Sequence, residues 1–420
     1  MKAETMIERR TFLAGIGAAA GSIAGLGGAG AQTTSDPWRD LRSQFQLPAD
    51  LAYFNTGGLG SSPRTVSDRV KLEMDRQDVS PSAAHNENDW ARIRGKCATL
   101  LGPSCAAGEI AFVSTATEGI NVILNGLPLK AGDEIITTTH EHVGLALPLA
   151  HKMKTAGVVV RTFEPDLRSR AGNVERIRAV LRPRTRLIFV SHVTCTTGQV
   201  LPVADIGRLA AERGIWFALD GAQSLAHFPI DIAGTGAHFY TASCHKWLMG
   251  PKRTGILYVR RDHLPQLASV VVGAYSEQTY SLAEGTVTLR ADAQRFEYGT
   301  QNDALVYGIE AAADFVAALG PTKVWDRSRM LAERFRSAVE TLKPVELVSP
   351  AEPEARSAIV TFRIPGRDNR EVAGALVSRR LRVRSLGEAG LNAVRASFHV
   401  CNTDAEVDKL IEGVAAVGRG

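Results

Sequence analysis

A chain of 420 residues is long enough for two domains sharing one large core, and an apolar share of 45% excludes a largely disordered protein. The net charge of +5, from 49 basic and 44 acidic residues, gives a weakly basic surface. No basic cluster is interleaved with aromatics, so nothing calls for a nucleic-acid partner. The five cysteines, Cys97, Cys105, Cys195, Cys244 and Cys401, show no CxxC or Cys/His metal spacing, and no metal is expected. They read as packed core thiols, with a Cys97–Cys105 pair as the oxidised alternative.

Arg9-Arg10 stand ahead of Thr11-Phe12-Leu13, and the Gly/Ala-rich run Ala14 to Gly30 follows. Ala29-Gly30-Ala31 then offers a small-residue cleavage site before Gln32. This resembles a twin-arginine export signal, with Glu8 where Ser or Thr is commoner. Residues 1–31 are thus expected to be an export signal peptide, making the protein periplasmic or secreted. A flexible tail with two chance arginines, and a cytoplasmic protein, is the alternative. The run is too short and glycine-rich for a stable membrane span, and no other segment reaches that length. Residues 32–62 read as an N-terminal arm, with a short helix between Thr33 and Pro48. The arm ends in the glycine-rich stretch Tyr53 to Gly60, a plain turn or a substrate loop.

Two helices are expected near Arg64 to Gln77 and Asn88 to Leu101. Strand Ile110 to Val113 leads into Ser114-Thr115-Ala116-Thr117-Glu118, where hydroxyl residues open a helix whose free N–H groups suit an anion. Strand Asp133 to Thr138 precedes His140-Glu141-His142 and another helix. Strand Val158 to Phe163, a helix near Val174 to Leu181, strand Leu187 to Ser191 and helix Ala204 to Arg213 continue the alternation. Such alternation predicts an α/β fold, a mostly parallel sheet with helices on both faces. The apolar run Ile215 to Leu219 places Asp220 at the carboxyl end of a buried strand, where open α/β sheets put their ligands. A second run, Ala237 to Thr241, leads to Ser243-Cys244-His245-Lys246, and a strand follows at Gly255 to Val259. A lysine facing a cleft there loses hydration, which lowers its pKa and frees its amine as a nucleophile. Beyond about residue 312 the pattern becomes a small α+β unit. It holds two helices within Thr322 to Lys343, strand Ser357 to Arg363, helix Asn369 to Arg379, strands Leu381 to Arg384 and Ala393 to Phe398, and a helix from Asp404.

Asp220-Gly221-Ala222-Gln223 followed by Ser243-Cys244-His245-Lys246 resembles the class V aminotransferase family of pyridoxal phosphate (PLP) enzymes. The likeness covers roughly Leu51 to the C-terminus. It implies the PLP-dependent transferase fold type I, with a large PLP-binding domain over 63–311 and a small C-terminal domain over 312–420. It implies a Schiff base on Lys246 and an Asp220 that keeps the ring nitrogen protonated, so that the ring draws electrons from the substrate. By the same resemblance Ala116, Thr117, Ser243 and His245 contact the phosphate, and Gln223 bonds the phenolic oxygen. His142 stacks on the ring, with His140 as the alternative. Thr194 lies near the cofactor, although Cys195 stands where cysteine desulfurase relatives carry Asn. Thr300, after Gly299, reaches the phosphate of a neighbouring subunit, which implies a homodimer with shared active sites.

Arg395, in Arg395-Ala396-Ser397-Phe398, matches the residue that clamps the substrate α-carboxylate through its planar fork. Asn55 belongs to the loop on the substrate side. The loop Leu386 to Asn392 lacks the cysteine with which desulfurases of the family accept sulfur, so a desulfurase is not expected. The isopenicillin N epimerase-like branch fits better. The chain then acts at Cα of an amino acid or other amine-bearing substrate, as an epimerase or aminotransferase. A C–S or other β-lyase and a non-catalytic PLP-binding protein are the alternatives.

Overall fold

The computed structural model describes residues 37–81 and 86–419, so the expected export signal lies outside the described residues. A two-residue strand, β1 (Ala52–Tyr53), precedes the central sheet of β2 (Ile110–Val113), β3 (Glu134–Thr138), β4 (Val159–Phe163), β5 (Thr185–Ser191), β6 (Trp216–Asp220), β7 (Phe239–Ser243) and β8 (Gly255–Val259). Their order across the sheet is β2-β8-β7-β6-β5-β3-β4. Only β8 runs against its neighbours; the remaining pairs are parallel. The central strands are apolar throughout because both faces of the sheet are covered. Alternate residues of one strand enter different cores. Ile188, Val190, Phe217 and Leu219 join the core on one face, while Leu187, Phe189 and Ala218 join that on the other. Parallel pairing brings the carboxyl ends of β5, β6 and β7, at Ser191, Asp220 and Ser243, to one edge.

A hairpin of β9 (Glu277–Ser281) and β10 (Thr286–Leu289) follows, a feature the sequence did not announce. Its strands are mostly polar and mostly exposed, with Tyr280 in the first strand and Leu282 in the turn both open to solvent. The C-terminal region folds around β11 (Glu346–Leu347), β12 (Ile359–Arg363), β13 (Leu381–Arg382), β14 (Arg384–Leu386) and β15 (Ala393–Ser397). Four of these make an antiparallel sheet in the order β11-β12-β15-β14. Helices Pro321–Glu340, Asn369–Val377 and Asp404–Arg419 cover it.

Two expectations change here. The two helices expected within Thr322 to Lys343 are one helix, Pro321–Glu340, because no Gly or Pro interrupts its apolar stripe. The strand expected over Leu381 to Arg384 divides at Val383. Its first part pairs with β1 and its second with β15. The N-terminal arm is thereby stitched to the C-terminal sheet, and Asn55 bridges to Ser397. Among the described residues no single helix is long and apolar enough to cross a membrane.

Candidate active site

The strand-end motifs and the C-terminal sheet enclose a cavity of about 310 Å³, within the range of small-molecule sites. Its lining includes Ala116, Thr117, His142, Asp220, Gln223, Ser243, His245, Lys246, Arg384 and Arg395. Asp220 ends β6 and is buried. Its Oδ1 accepts from the Ala222 N–H at 2.8 Å, and burial raises its pKa. The next residue must be Gly221: a Cβ there would fall inside the Tyr240 ring. Lys246 is buried and, among the described residues, its amine makes no hydrogen bond or ion pair. Burial lowers its pKa, against the opposing pull of Asp220. The carbonyls of His245 and Lys246 lie so close to Gly60 that a side chain at that position would strike them. The Gly60 N–H donates to the His245 carbonyl at 2.7 Å. The Asn55 to Gly60 loop is therefore packed onto the lysine motif, beyond what a free turn requires.

Ser243 ends β7, and its Oγ accepts from the Ala116 N–H at 3.0 Å, locking the N-terminus of helix Ala116–Gly126 to the motif. His245 Nδ1 is buried without a partner, and burial together with Lys246 pushes its pKa down to about 4. The imidazole is neutral at neutral pH, where a protonated His245 would have needed an anion already beside it. His142 caps helix Val143–Ala156, its Nδ1 accepting from the Gly144 N–H at 3.0 Å. That bond leaves Nε2 as the protonated nitrogen. Burial and Lys246 push its pKa down to about 4. His140 does not line the cavity. Its ring nitrogens face Thr196 Oγ1 at 3.0 Å and Glu164 Oε1 at 2.8 Å. The Gln223 amide donates to the Gly57 carbonyl at 2.7 Å and accepts from the Trp247 indole at 2.8 Å, so one amide hydrogen remains for a ligand.

Arg395 is fully buried. Its Nη1 donates to the Cys195 carbonyl at 2.7 Å and its Nη2 to Asn55 Oδ1 at 3.2 Å. Nε has no partner. Burial and the neighbouring Arg384 push its pKa down to about 10. A buried guanidinium held only by neutral acceptors is incomplete until an anion arrives.

Residues 63–410 match the profile of the class V aminotransferases. The chain belongs to the class V aminotransferase family. It is a PLP-dependent enzyme of fold type I. A cysteine desulfurase of Salmonella agona is 32% identical over 389 residues, covering 88% of this chain and 94% of the relative. An apo cysteine desulfurase of Thermococcus onnurineus superposes with a TM-score of 0.81 at 25% identity, covering 91% of this chain and 98% of that one. The cystine C–S lyase C-DES, in complex with its product cysteine persulfide, shares the fold with a TM-score of 0.79 at 24% identity, covering 87% and 98%. These relatives carry the desulfurase and C–S lyase names, where the motifs had suggested the epimerase-like branch.

The class V site fits its cofactor on this chain's own atoms. Among the described residues Asp220 is a buried carboxylate with no ion-pair partner in contact, and a protonated ring nitrogen would supply one. The Lys246 amine and His245 Nδ1 are unpartnered, and the helix N-terminus at Ala116 faces the same cavity. Three of the residues expected from the motifs are not in the lining. Thr194 is buried and closes its own loop, bonding Thr197 Oγ1 at 2.8 Å and the Gln199 N–H at 3.0 Å. Asn55 acts from behind, through Arg395. Thr300 is exposed, outside the cavity of its own chain. Sequence reasoning missed Arg384. Its place follows from the β14–β15 register, in which it stands opposite Arg395.

Proposed function

We propose that this class V enzyme is a C–S lyase, cleaving the Cβ–S bond of a sulfur-bearing amino acid and releasing the sulfur as a small product. One observation carries the reading: a complete Lys246–Asp220–Arg395 set lies in a cavity with no cysteine in its lining, beside a loop, Leu386 to Asn392, that also has none. Sulfur set free there meets no lining thiol to carry it. The desulfurase and C–S lyase relatives support the choice of bond.

PLP, when bound, supplies the electron sink for charge developing at the substrate Cα. Ala116, Thr117, Ser243 and His245 would hold its phosphate, and Asp220 would keep the ring nitrogen protonated. Gln223 and His142 would hold the ring in place. Arg395 binds the α-carboxylate through its planar fork and so sets which Cα bond is broken. Lys246, already deprived of hydration, takes the Cα proton as general base. Loss of the β-sulfur leaves a product that water converts to pyruvate and ammonia.

An epimerase or aminotransferase is the second reading, favoured by the Asn55 to Gly60 loop packed on Lys246. The deciding experiment incubates the PLP-loaded enzyme with cysteine, cystine and a panel of other amino acids. Pyruvate and a low-molecular-weight sulfur product in equal amounts are expected. Racemised substrate, the keto acid of the intact amino acid, or sulfur retained on the protein would contradict the proposal.

Two further readings complete the proposal. The exposed Thr300 supports a homodimer in which it reaches the neighbouring copy's phosphate site; a single-chain mass in sedimentation would count against it. The Arg9-Arg10 segment supports periplasmic or secreted delivery, and an exported protein beginning at Gln32 is the expected result.

A further inference from the structure

We propose that Arg384 reads a second acidic group on the substrate, displacing Glu388 from its guanidinium, so that the enzyme prefers amino acids that carry two acids. The inference deepens the function above and rests on Arg395 holding the α-carboxylate.

Arg384 and Arg395 are direct partners across antiparallel β14 and β15. Their side chains leave the same face of the sheet, close enough to interact, and both line the cavity. Two like charges so placed repel, and each calls for an anion. Among the described residues only one carboxylate, Glu388, ion-pairs with either of them. Arg395, innermost, has neutral acceptors alone. Arg384, nearer solvent, is ion-paired with Glu388, and the two side chains are 27% and 23% exposed.

That pair is built to exchange. The pair is partly shielded but still reaches water, so its attraction is screened and its net contribution to stability is modest. Glu388 also rides on a short exposed loop that turns through the left-handed region at Ala389 (φ 54°), Gly390 (φ 65°) and Asn392 (φ 42°). Asn392 suits that region and is pinned by bonds to the Asn369 N–H and the Arg367 carbonyl, but Ala389 holds it at some cost, so the tip beside Glu388 gains by relaxing. Releasing Glu388 to solvent gives up that modest contribution, which the incoming acid replaces at the same guanidinium. A substrate acid arriving at the vacated guanidinium is already tethered at Arg395, so its second contact is intramolecular. Glu388 is thus a resident stand-in for the distal acid.

The test is calorimetric titration of the PLP-loaded enzyme with succinate and glutarate, and with butyrate and valerate as monoacids of matching length. The wild type should bind the diacids about tenfold or more tightly than the monoacids, the scale of one charge-assisted contact. Arg384→Ala should abolish that preference. Glu388→Gln should widen it, since the internal competitor is gone. This second variant moves opposite to a simple loss of packing and keeps the proposal testable if Arg384→Ala does not fold. Equal binding of diacids and monoacids by the wild type, or a preference that Glu388→Gln narrows, would overturn the proposal and leave the Arg395 reading standing. Binding of neither class would overturn both.

Discussion

At the scale of single residues, the site depends on glycines as much as on charged groups. Gly221 follows Asp220 because the Tyr240 ring occupies the space of a Cβ. Gly221→Ala should therefore push Asp220 and Tyr240 apart and cost about 1–3 kcal/mol, as overpacking of a tight core does. Equilibrium urea unfolding measures the loss, and PLP affinity should fall with it; unchanged stability would contradict the packing described here. The position of Asp220 and Lys246 beside a cleft was legible from the apolar runs that lead into them, whereas Gln223, Ser243 and His245 were singled out only by the family resemblance; all five line the cavity. The choice between His142 and His140 was not legible. Both stand beside Glu141, and only the backbone turn into helix Val143–Ala156 sends one ring into the cavity and the other to Glu164. Arg384 was invisible for a related reason: its role comes from the partner it faces across two strands, and register is a property of the folded sheet.

At the scale of elements, apolar runs bounded by turns located all seven strands of the central sheet to within a few residues; the signal was strongest in the interior strands, which are buried on both faces, and weakest in the half-exposed edge strand β4. The failures occurred where partner choice outweighs local pattern. Leu381 to Arg384 reads as one strand, yet the chain passes from β1 to β15 at Val383. The hairpin Glu277–Ser281 and Thr286–Leu289 has no core face to impose a strict pattern, and its signal is correspondingly weak. What these elements accomplish jointly is closure. The arm after β1 carries Asn55 against Arg395 and Gly60 against Lys246, so residues more than 300 positions apart in sequence share one wall.

At the scale of the whole molecule, burial sets the response to acid. His192, His227 and His399 are buried, and burial pushes their pKa values down to about 4, about 3 and about 4. All three are neutral in the native state at neutral pH. An unfolded histidine titrates near 6.5, so below that pH the unfolded chain binds more protons and stability falls. For His192 alone the loss reaches about 3 kcal/mol by pH 4. Glu141, pushed up to about 7 by burial, acts in the opposite sense, gaining stability as pH falls from 7 toward its unfolded value. Asp220 and Glu297 are raised by burial in the same sense as Glu141, but burial also lowers His140, His142, His238 and His245, so among the described residues seven histidines oppose three carboxyls and the histidines prevail. The urea midpoint of the cofactor-free protein should therefore fall between about pH 7 and pH 5; a flat or rising midpoint would contradict neutral burial.

The central claim is that the Lys246 amine, stripped of water and facing Asp220, is where this class V chain binds PLP covalently. Borohydride reduction of the PLP-loaded protein, followed by proteolysis and mass spectrometry, tests it most directly. The account predicts one modified peptide, containing Lys246, with the mass of a reduced phosphopyridoxyl group. A modification on another lysine, or none on a protein that has bound PLP, would contradict it.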